Sequence, residues 1–552
     1  MRGSFLGPAA LFITGCYTGL STAQSGDDAS EGAASASDGS GSDTGSDLPV
    51  PDDVAEEIGI SGLRRLSIAE YTQTVIDLLG MTPEQVQELL PADTLTPFDN
   101  DYTTQTASEA LVKGLELLAG DIADAVVADA TLRSALVPCT PTGPDDAACY
   151  REFLTSFGRR ALRRTLSDEE LDRFAVLQSY GVDEGDFWAG IAAALRMFLQ
   201  HPELVYRVEL GTPVPDAPDL FRLNGWEVGA RLSYFLVGST PPDWLLDAAE
   251  AGELDTSEGI ASAAVMLLDD PRARARVVRF HSLWLAYANL SETGVYADMH
   301  TETAALVERI VFDDRRPWVD MLTSNETWLT PELAEHYGLP VPAEPSWVAY
   351  PDDGRAGLLS HGTFLSVGAK FGDTSPTQRG KLVRTKLFCQ EIPKPPPDLM
   401  VDVCAPPPAD PDACKIDRYF MSHEDACKGC HEQMDPIGFG LENYDASGVF
   451  RTTDLDRPEC VIAGDGDFVG LGTFNGPAQL AALAVESDGL EPCVAQQLYR
   501  FAVGRTELDV HDGTLVQRVA DESSVDGQLD MLAFITGYVG AEAFRYRREE
   551  SP

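Results

Sequence analysis

The sequence predicts a mainly α-helical protein: a multi-helix body with proline- and glycine-rich connections, a small β hairpin near the C-terminal third, and a C-x-x-C-H segment. Three observations predict this class. Apolar residues recur at helical spacing through most of 60–335 and again over 476–543. Proline and glycine become frequent after Leu339. The pentapeptide Cys427–His431 follows that proline-rich stretch.

Helix boundaries and one hairpin are readable from short signals. A first helix is predicted over Leu63–Gly80, which glycine ends. Ser167 followed three residues later by Glu170 is a capping box and predicts a helix start. The stretch Gly448–Gly472 is rich in glycine and β-branched residues, and it predicts the small hairpin. Its alternating acids, in GDGDFVGLG, lack the rest of a calcium loop and indicate a turn.

The N-terminus predicts export and lipidation. Arg2 precedes the apolar run Phe5–Ile13, which is too short to span a bilayer and typical of a signal peptide. The run ends in ITGC, which resembles a bacterial lipobox with Cys16 as the lipidated residue. An ordinary signal peptide with an incidental cysteine is the alternative. The Ser/Gly/Asp-rich stretch that follows reads as a flexible tether.

These signals divide the chain into six predicted regions. They are a lipoprotein signal peptide (1–16), a disordered linker (17–57), an N-terminal helical domain (58–135), central multi-helix domains (150–335), a domain carrying C-x-x-C-H (352–450), and a C-terminal helical domain with a short hairpin (451–547). We therefore expect a protein of the bacterial cell envelope, on the outer membrane or the periplasmic face, which contacts the membrane only through its N-terminal lipid.

Charge excludes one class of partner. The chain carries 89 Asp and Glu against 40 Lys and Arg, a formal charge of −49. Such a chain repels the phosphate backbone, so no nucleic-acid partner is expected. The content of 44% apolar and 8% aromatic residues is ordinary for a folded globular protein. We interpret the acidity as a solvated surface.

Ten cysteines in an exported chain are expected to be paired or ligated. Short loops favour two disulfides, and a third is plausible: the predicted pairs are Cys139–Cys149, Cys404–Cys414 and Cys460–Cys493. Cys389 is then left over, or alternatively pairs with Cys404 or Cys414.

C-x-x-C-H is the spacing for covalent attachment of a c-type haem. The two thiols, Cys427 and Cys430, lie on one helical turn to take the vinyl groups, and His431 is adjacent as the iron ligand. Zinc needs about four ligands, and the chain has no second C-x-x-C or H-x-x-x-H. A redox pair would need a βαβ context, which is absent. We therefore predict one covalent haem c.

The second axial ligand is not evident. His423 and Met434 lie so close to His431 along the chain that reaching the opposite haem face needs a chain reversal. The remaining candidates are His361, Met400, His511 and Met531, or water in an open position. For each of them a structural role is the competing interpretation: Met531 as core, His511 as surface, and His361 as a satisfied buried histidine.

Several motifs in fixed order resemble a known family. They are RRLSIAEYTQTVIDLLG, FGRRALRRTLSDEEL, LSYFLVGSTPPDWLLDAA, RAGLLSHGTFLSVGA, CKGCHEQMDPIGFGLENYDASGVFR and CVAQQLYRFAVGR. Together they resemble the planctomycete-type cytochrome-like exported proteins, which are built from the domains of unknown function numbered 1587, 1595, 1592, 1588 and 1585. The resemblance implies a mostly helical, cytochrome-like protein. It also implies haem anchors at Cys427 and Cys430, proximal ligation by His431, a possible ligand at His423, and a turn and packing segment at Met434–Phe439.

Two hypotheses of function follow. The first is an exported, lipid-anchored c-type cytochrome-like protein that transfers electrons to a redox partner protein or supports a haem-dependent oxidation. The second is a non-catalytic surface binding or scaffold protein, for example a polysaccharide-associated one, in which C-x-x-C-H is a disulfide-stapled loop. Detection of covalent haem separates them.

Overall fold

A computed structural model describes residues 50–351, 354–370, 372–393, 413–421, 428–454 and 457–550. The predicted fold class is confirmed at the coarse level: the protein is mainly helical, with several small antiparallel strand pairs. Within the ranges just given, no helix combines the length and the apolar character needed to span a membrane. Cys16, His423, Met400, Cys404 and Cys427 all lie outside the described residues.

The helices are short to medium in length and follow one another closely. Helices α1–α10 are Asp52–Ala55, Ile68–Leu79, Val86–Leu89, Glu109–Ala128, Ala130–Leu136, Ala147–Leu162, Asp168–Ala175, Gln178–Glu184, Phe187–Leu199 and Pro202–Val205. Helices α11–α17 are Gly225–Leu236, Asp243–Glu250, Ser257–Leu268, Pro271–Trp284, Val295–Glu308, Asp320–Thr323 and Pro331–Tyr337. Helices α18–α25 are Gly362–Ser366, Pro376–Leu382, Lys415–Met421, Lys428–Phe439, Gly476–Val485, Leu490–Val503, Val510–Glu522 and Met531–Gly540.

The strands form small antiparallel units. Strands β1–β13 are Arg64–Arg65, Tyr206–Arg207, Thr212–Val214, Ala217–Arg222, Glu326–Leu329, Ser346–Ala349, Thr453–Asp454, Arg457–Val461, Asp465–Phe468, Gly472–Asn475, Ser524–Val525, Gln528–Leu529 and Tyr546–Arg548. The predicted hairpin region contains two strand pairs, β7 with β8 and β9 with β10. The C-terminal β13 pairs with β4, so the end of the chain packs against its middle.

The predicted first helix has the right end and the wrong start. Gly80 ends α2 in a left-handed conformation, with φ 69°. The helix begins after Ser67, because the Ser67 hydroxyl accepts from the Glu70 amide while the Glu70 carboxylate accepts from the Ser67 amide. The two residues of β1 instead pair with β2. The predicted capping box at the start of α7 is confirmed.

Two large apolar cores follow one another along the chain. The first is built mainly from residues 66–205. Phe157 stacks on Phe153 and meets Phe198 edge-on, with ring centroids 5.4 Å apart in both pairs. The second spans much of residues 214–546 and includes the fully buried Trp284 and Trp318. A small cluster around Met299 and Tyr337 adjoins the helices of the second core.

One of the predicted disulfides is confirmed. Cys139 and Cys149 are bonded across a 10-residue separation. The short loop between them matches the turn-rich sequence TPTGPDDAA.

The other two predicted pairings, Cys404–Cys414 and Cys460–Cys493, are wrong. Cys414 bonds Cys460, and Cys389, expected to be left over, bonds Cys493. The alternative pairing of Cys389 with Cys404 or Cys414 is also wrong. The Cα atoms lie 5.4 Å apart in both bonds, across 46 and 104 residues of sequence. Closeness in the folded chain decides pairing, and the entropy of loop closure changes only slowly with loop length.

Candidate functional site

Residues 428–431 of the C-x-x-C-H motif are the first described residues of α21. Cys430 and His431 are in the first turn of α21, whereas Cys427 lies just before the described part of this helix. Cys430 is half-buried and bonds no other cysteine of the described ranges. His431 retains 27% of its side-chain exposure. The motif therefore places a thiol and an imidazole at a partly accessible helix start.

His431 is held by a buried carboxylate one turn further along the helix. Its Nδ1 lies 3.0 Å from Oδ2 of Asp435, a side chain with no exposure. The other Asp435 oxygen accepts a hydrogen bond of 2.6 Å from the Thr377 hydroxyl on α19. This contact with the carboxylate raises the pKa of His431, against the opposing effect of its partial burial.

Glycines let α19 and α21 approach closely enough for this contact. A Cβ on Gly380 of α19 would lie 1.8 Å from the Met434 carbonyl oxygen. A Cβ on Gly438 of α21 would lie 1.9 Å from the Pro376 carbonyl oxygen. Neither position accepts a side chain without displacement of backbone, so these glycines set the helix spacing that brings Thr377 to the carboxylate.

Met434–Phe439 is helix, so the prediction of a turn there is wrong. The packing role expected for this segment is confirmed, because Met434, Ile437 and Phe439 are buried. Pro436 is tolerated within α21, and the chain turns only after Phe439. The glycine in this segment serves the close helix contact instead.

Buried ion pairs fix the loop that follows α21. Arg379, 2% exposed, donates to the Leu441 and Tyr444 carbonyl oxygens, each within 2.8 Å. Glu442 accepts from the Lys415 ammonium at 3.1 Å and from Arg451 at 2.9 Å. These charges hold α19, α20 and the segment after α21 in one arrangement around the motif helix.

Sequence reasoning missed Asp435, Thr377 and Arg379. One signal for Asp435 was present, since it stands four residues after His431 and side chains at that spacing meet on a helix. No local signal pointed to Thr377, which is 58 residues from Asp435.

His361, a predicted distal ligand, is enclosed in a hydroxyl network. It has no exposure; its Nδ1 lies 3.0 Å from the Thr303 hydroxyl and its Nε2 lies 3.3 Å from the Thr327 hydroxyl. Thr327 donates to Glu302 at 2.7 Å, so the imidazole Nε2–H donates to Thr327. Because both ring nitrogens are engaged, His361 would have to leave this network to bind a metal.

The other described candidates for the second axial position are also committed elsewhere. Met434 is buried on α21 itself. Met531 is 2% exposed in the second core, which confirms the interpretation of this residue as a core residue. His511 lies in the first turn of α24, and its Nδ1 lies 3.1 Å from the Glu56 carbonyl oxygen.

One cluster has the composition of a metal site without being free to act as one. Cys414, Asp454 and Cys460 lie close together near β7 and β8. The two cysteines form a disulfide, and the Asp454 carboxylate accepts from the Lys415 amide at 2.8 Å. These contacts account for the cluster structurally.

Comparison with protein families defines the class of the chain: consecutive domains of unknown function in the predicted order. The matches are PSD3, Protein of unknown function (DUF1587), at residues 64–128; PSD5, Protein of unknown function (DUF1595), at 149–209; PSD4, Protein of unknown function (DUF1592), at 223–339; and PSCyt3, Protein of unknown function (DUF1588), at 355–454.

The chain therefore belongs to the planctomycete-type cytochrome-like proteins, as its motifs predict. The expected fifth domain, numbered 1585, stays a prediction. The PSCyt3 match contains the motif helix and α19 with Arg379. No curated protein and no solved structure matches the chain.

Proposed function

We propose that this protein is a c-type cytochrome-like protein that binds one haem c covalently and transfers electrons or supports a haem-dependent oxidation. Cys427 and Cys430 are the covalent anchors, and His431 is the proximal ligand. The observation that carries the proposal is the hydrogen bond between His431 Nδ1 and Asp435. A carboxylate on Nδ1 leaves Nε2 as the metal-binding nitrogen and is a common support of metal-bound histidine.

The donor set fits covalent haem. Cys430 forms no disulfide within the described residues, so its thiol is available in the fold. In attachment each thiol adds across one vinyl group, the sulfur to one carbon and the hydrogen to the other, so no oxidant is consumed. When bound, haem c supplies a one-electron couple whose potential depends on its ligands and their surroundings.

The chain's own residues then serve to hold the ligand. Asp435 and Thr377 orient the imidazole ring, and the close packing of α19 against α21 keeps Thr377 in reach of the carboxylate. Because Asp435 is fully buried, its oxygens meet protein partners rather than bulk water.

We further propose that the protein is exported and lipid-anchored through Cys16 in the cell envelope, where it meets a redox partner protein. The lipobox-like ITGC and the Ser/Gly/Asp-rich tether support this. Replacement of Cys16 by serine should move the protein from the detergent phase to the aqueous phase in a detergent phase-partition assay. Unchanged partitioning would argue against lipidation at Cys16.

Detection of covalent haem tests the main proposal. The full chain is expressed in a host with haem-c maturation, and a haem-stained denaturing gel and a reduced pyridine spectrum are recorded. We expect one haem per chain in the wild type and none in the Cys427→Ala/Cys430→Ala variant. Gly429→Ala is the matched control, because a Cβ at Gly429 meets nothing within 4 Å and both thiols remain.

Absence of covalent haem from the wild type and from Gly429→Ala would contradict the proposal. That result would favour the non-catalytic scaffold in which C-x-x-C-H is a structural loop. A disulfide between Cys427 and Cys430, identified by mass spectrometry of the unreduced protein, would then be expected.

A further inference from the structure

We propose that Asp435 is a positioning residue that gives His431 anionic character and thereby favours the oxidised state of iron bound there. The inference rests on the proposed function, and it assigns a low reduction potential to the site. The protein would then be poised to donate electrons, or to stabilise oxidised iron during an oxidation, rather than to accept electrons from weak reductants.

The geometry supports a fixed and directed contact. The Nδ1 of His431 and Oδ2 of Asp435 lie 3.0 Å apart on successive turns of one helix, so the pair is held by the helix itself. The Thr377 hydroxyl donates to Oδ1 at 2.6 Å, which opposes rotation of the carboxylate away from the imidazole. A second helix therefore restrains the carboxylate.

Burial strengthens the effect. Asp435 has no exposure, whereas His431 keeps 27% of its side-chain exposure, so the charge lies on the protein side of the ring. Water screens a charge in this position poorly, and its interaction with a cationic centre bound to the same imidazole is correspondingly strong. The oxidised state carries one more positive charge than the reduced state, so the carboxylate stabilises it more.

A neighbouring carboxylate on the same helix provides a matched control. Glu432 lies next to His431 in sequence, but its side chain is 55% exposed and pairs with Lys428 at 3.5 Å. Removing its charge changes the net charge of the protein by the same amount as Asp435→Asn. It does not remove a hydrogen bond from the imidazole.

The test compares reduction potentials of holoproteins by spectroelectrochemistry. We expect Asp435→Asn to weaken the preference for the oxidised state at least tenfold, an upward shift of about 59 mV for a one-electron couple. Glu432→Gln should change it less than twofold. Asp435→Glu keeps a carboxylate and should stay closer to the wild type than Asp435→Asn does.

Two results would overturn the proposal: a potential for Asp435→Asn equal to that of Glu432→Gln, or an Asp435→Glu shift as large as that of Asp435→Asn. If the Asp435 variants carry no haem, the role of Asp435 is tested by NMR on the wild-type protein alone. In the full chain expressed without haem and labelled with ¹⁵N-histidine, neutral His431 should carry its proton on Nδ1; a proton on Nε2 would refute the inference. His431→Ala identifies the signal.

These outcomes are separable from failure of the proposed function. If the wild type binds no covalent haem, the proposed function fails at the gel, before any potential is measured. If the wild type binds haem and the variants share one potential, the function stands and the role of Asp435 is refuted.

Discussion

Two histidine–carboxylate pairs in the described part of the chain differ in how their partners meet. His431 and Asp435 contact each other directly at the start of a helix, and His431 is partly exposed. His361 and Glu302 are both buried; Nε2 of His361 lies 3.7 Å from Oε1 of Glu302, and the Thr327 hydroxyl contacts both side chains. The two pairs therefore differ in the exposure of the histidine and in whether the carboxylate contacts it directly.

The two environments shift the pKa of the histidine in opposite directions. At the helix, the hydrogen bond to Asp435 raises the pKa of His431. In the buried network, desolvation lowers the pKa of His361 to about 3 and raises the pKa of Glu302 to about 7. A direct charge-assisted contact favours the charged imidazole, whereas burial with an intervening hydroxyl favours neutral partners. The first arrangement suits a ligand, and the second suits a structural core.

The largest expected effect on stability comes from removing the buried carboxylate of Glu302. Glu302→Ala leaves the Tyr337 and Thr327 hydroxyls without the acceptor they reach at 2.9 and 2.7 Å. We expect a loss of about 4 kcal/mol in the free energy of unfolding, measured by urea denaturation. Glu335→Ala, an exposed change on the helix that carries Tyr337, should shift it by less than about 0.5 kcal/mol. Equal effects of the two substitutions would show that the network is not structurally important.

The next prediction concerns how stability depends on pH in the same network. The pKa of Glu302 rises from 4.5 to about 7 on folding, so its contribution is present below pH 4.5 and is lost as the pH rises through 7, a change of about 3 kcal/mol. The pKa of His361 falls from 6.5 to about 3, so its contribution is present above pH 6.5 and is lost as the pH falls toward 3. The two effects oppose each other between pH 4.5 and 6.5.

Single variants should separate these opposed slopes. Relative to the wild type, Glu302→Gln should gain stability as the pH rises from 4.5 to 7.5. His361→Gln should gain relative stability as the pH falls below 6.5. Unfolding free energies measured across this range test both expectations. Differences from the wild type that do not change with pH would contradict the assigned protonation states.

A smaller effect on stability is expected for the His431–Asp435 pair in the haem-free protein. The raised pKa of His431 gives a stabilisation that is present below pH 6.5 and is lost as the pH rises through its folded value. Asp435→Asn should therefore lower the pKa of His431 and cost about 1 kcal/mol more at pH 5.5 than at pH 9. Histidine NMR titration and urea unfolding at the two pH values check this. An unchanged pKa of His431 would show that the hydrogen bond does not form in solution.

The smallest effect is expected at the surface pair beside it. Glu432→Gln breaks an ion pair between two side chains that are each 55% exposed. We expect a change of about 0.3 kcal/mol in the free energy of unfolding, reduced further by added salt. A cost similar to that of Asp435→Asn would remove the distinction between the buried and the surface carboxylate on this helix.

Much of the local structure was readable from the sequence. The capping box at Ser167 and the glycine stop at Gly80 were predicted correctly, because these signals act within one helical turn. The start of α2 was predicted wrongly, because β1 pairs with a strand more than a hundred residues away. Of the candidate site, the pentapeptide Cys427–His431 was evident, whereas the carboxylate behind it was overlooked despite its helical spacing.

The sequence by itself determined the helical class, the order of the family's domains and the thiols and imidazole of the motif, because periodicity, caps and motifs are carried by residues close together along the chain. Only the tertiary structure decided that Cys389 bonds Cys493, that His361 is enclosed by hydroxyls, and that Thr377 reaches the carboxylate of Asp435. Those contacts join residues separated by up to 104 positions. Distances across the packed interior select these contacts. A glycine such as Gly380 lets two helices approach closely, but the sequence around it does not show which helix it will contact.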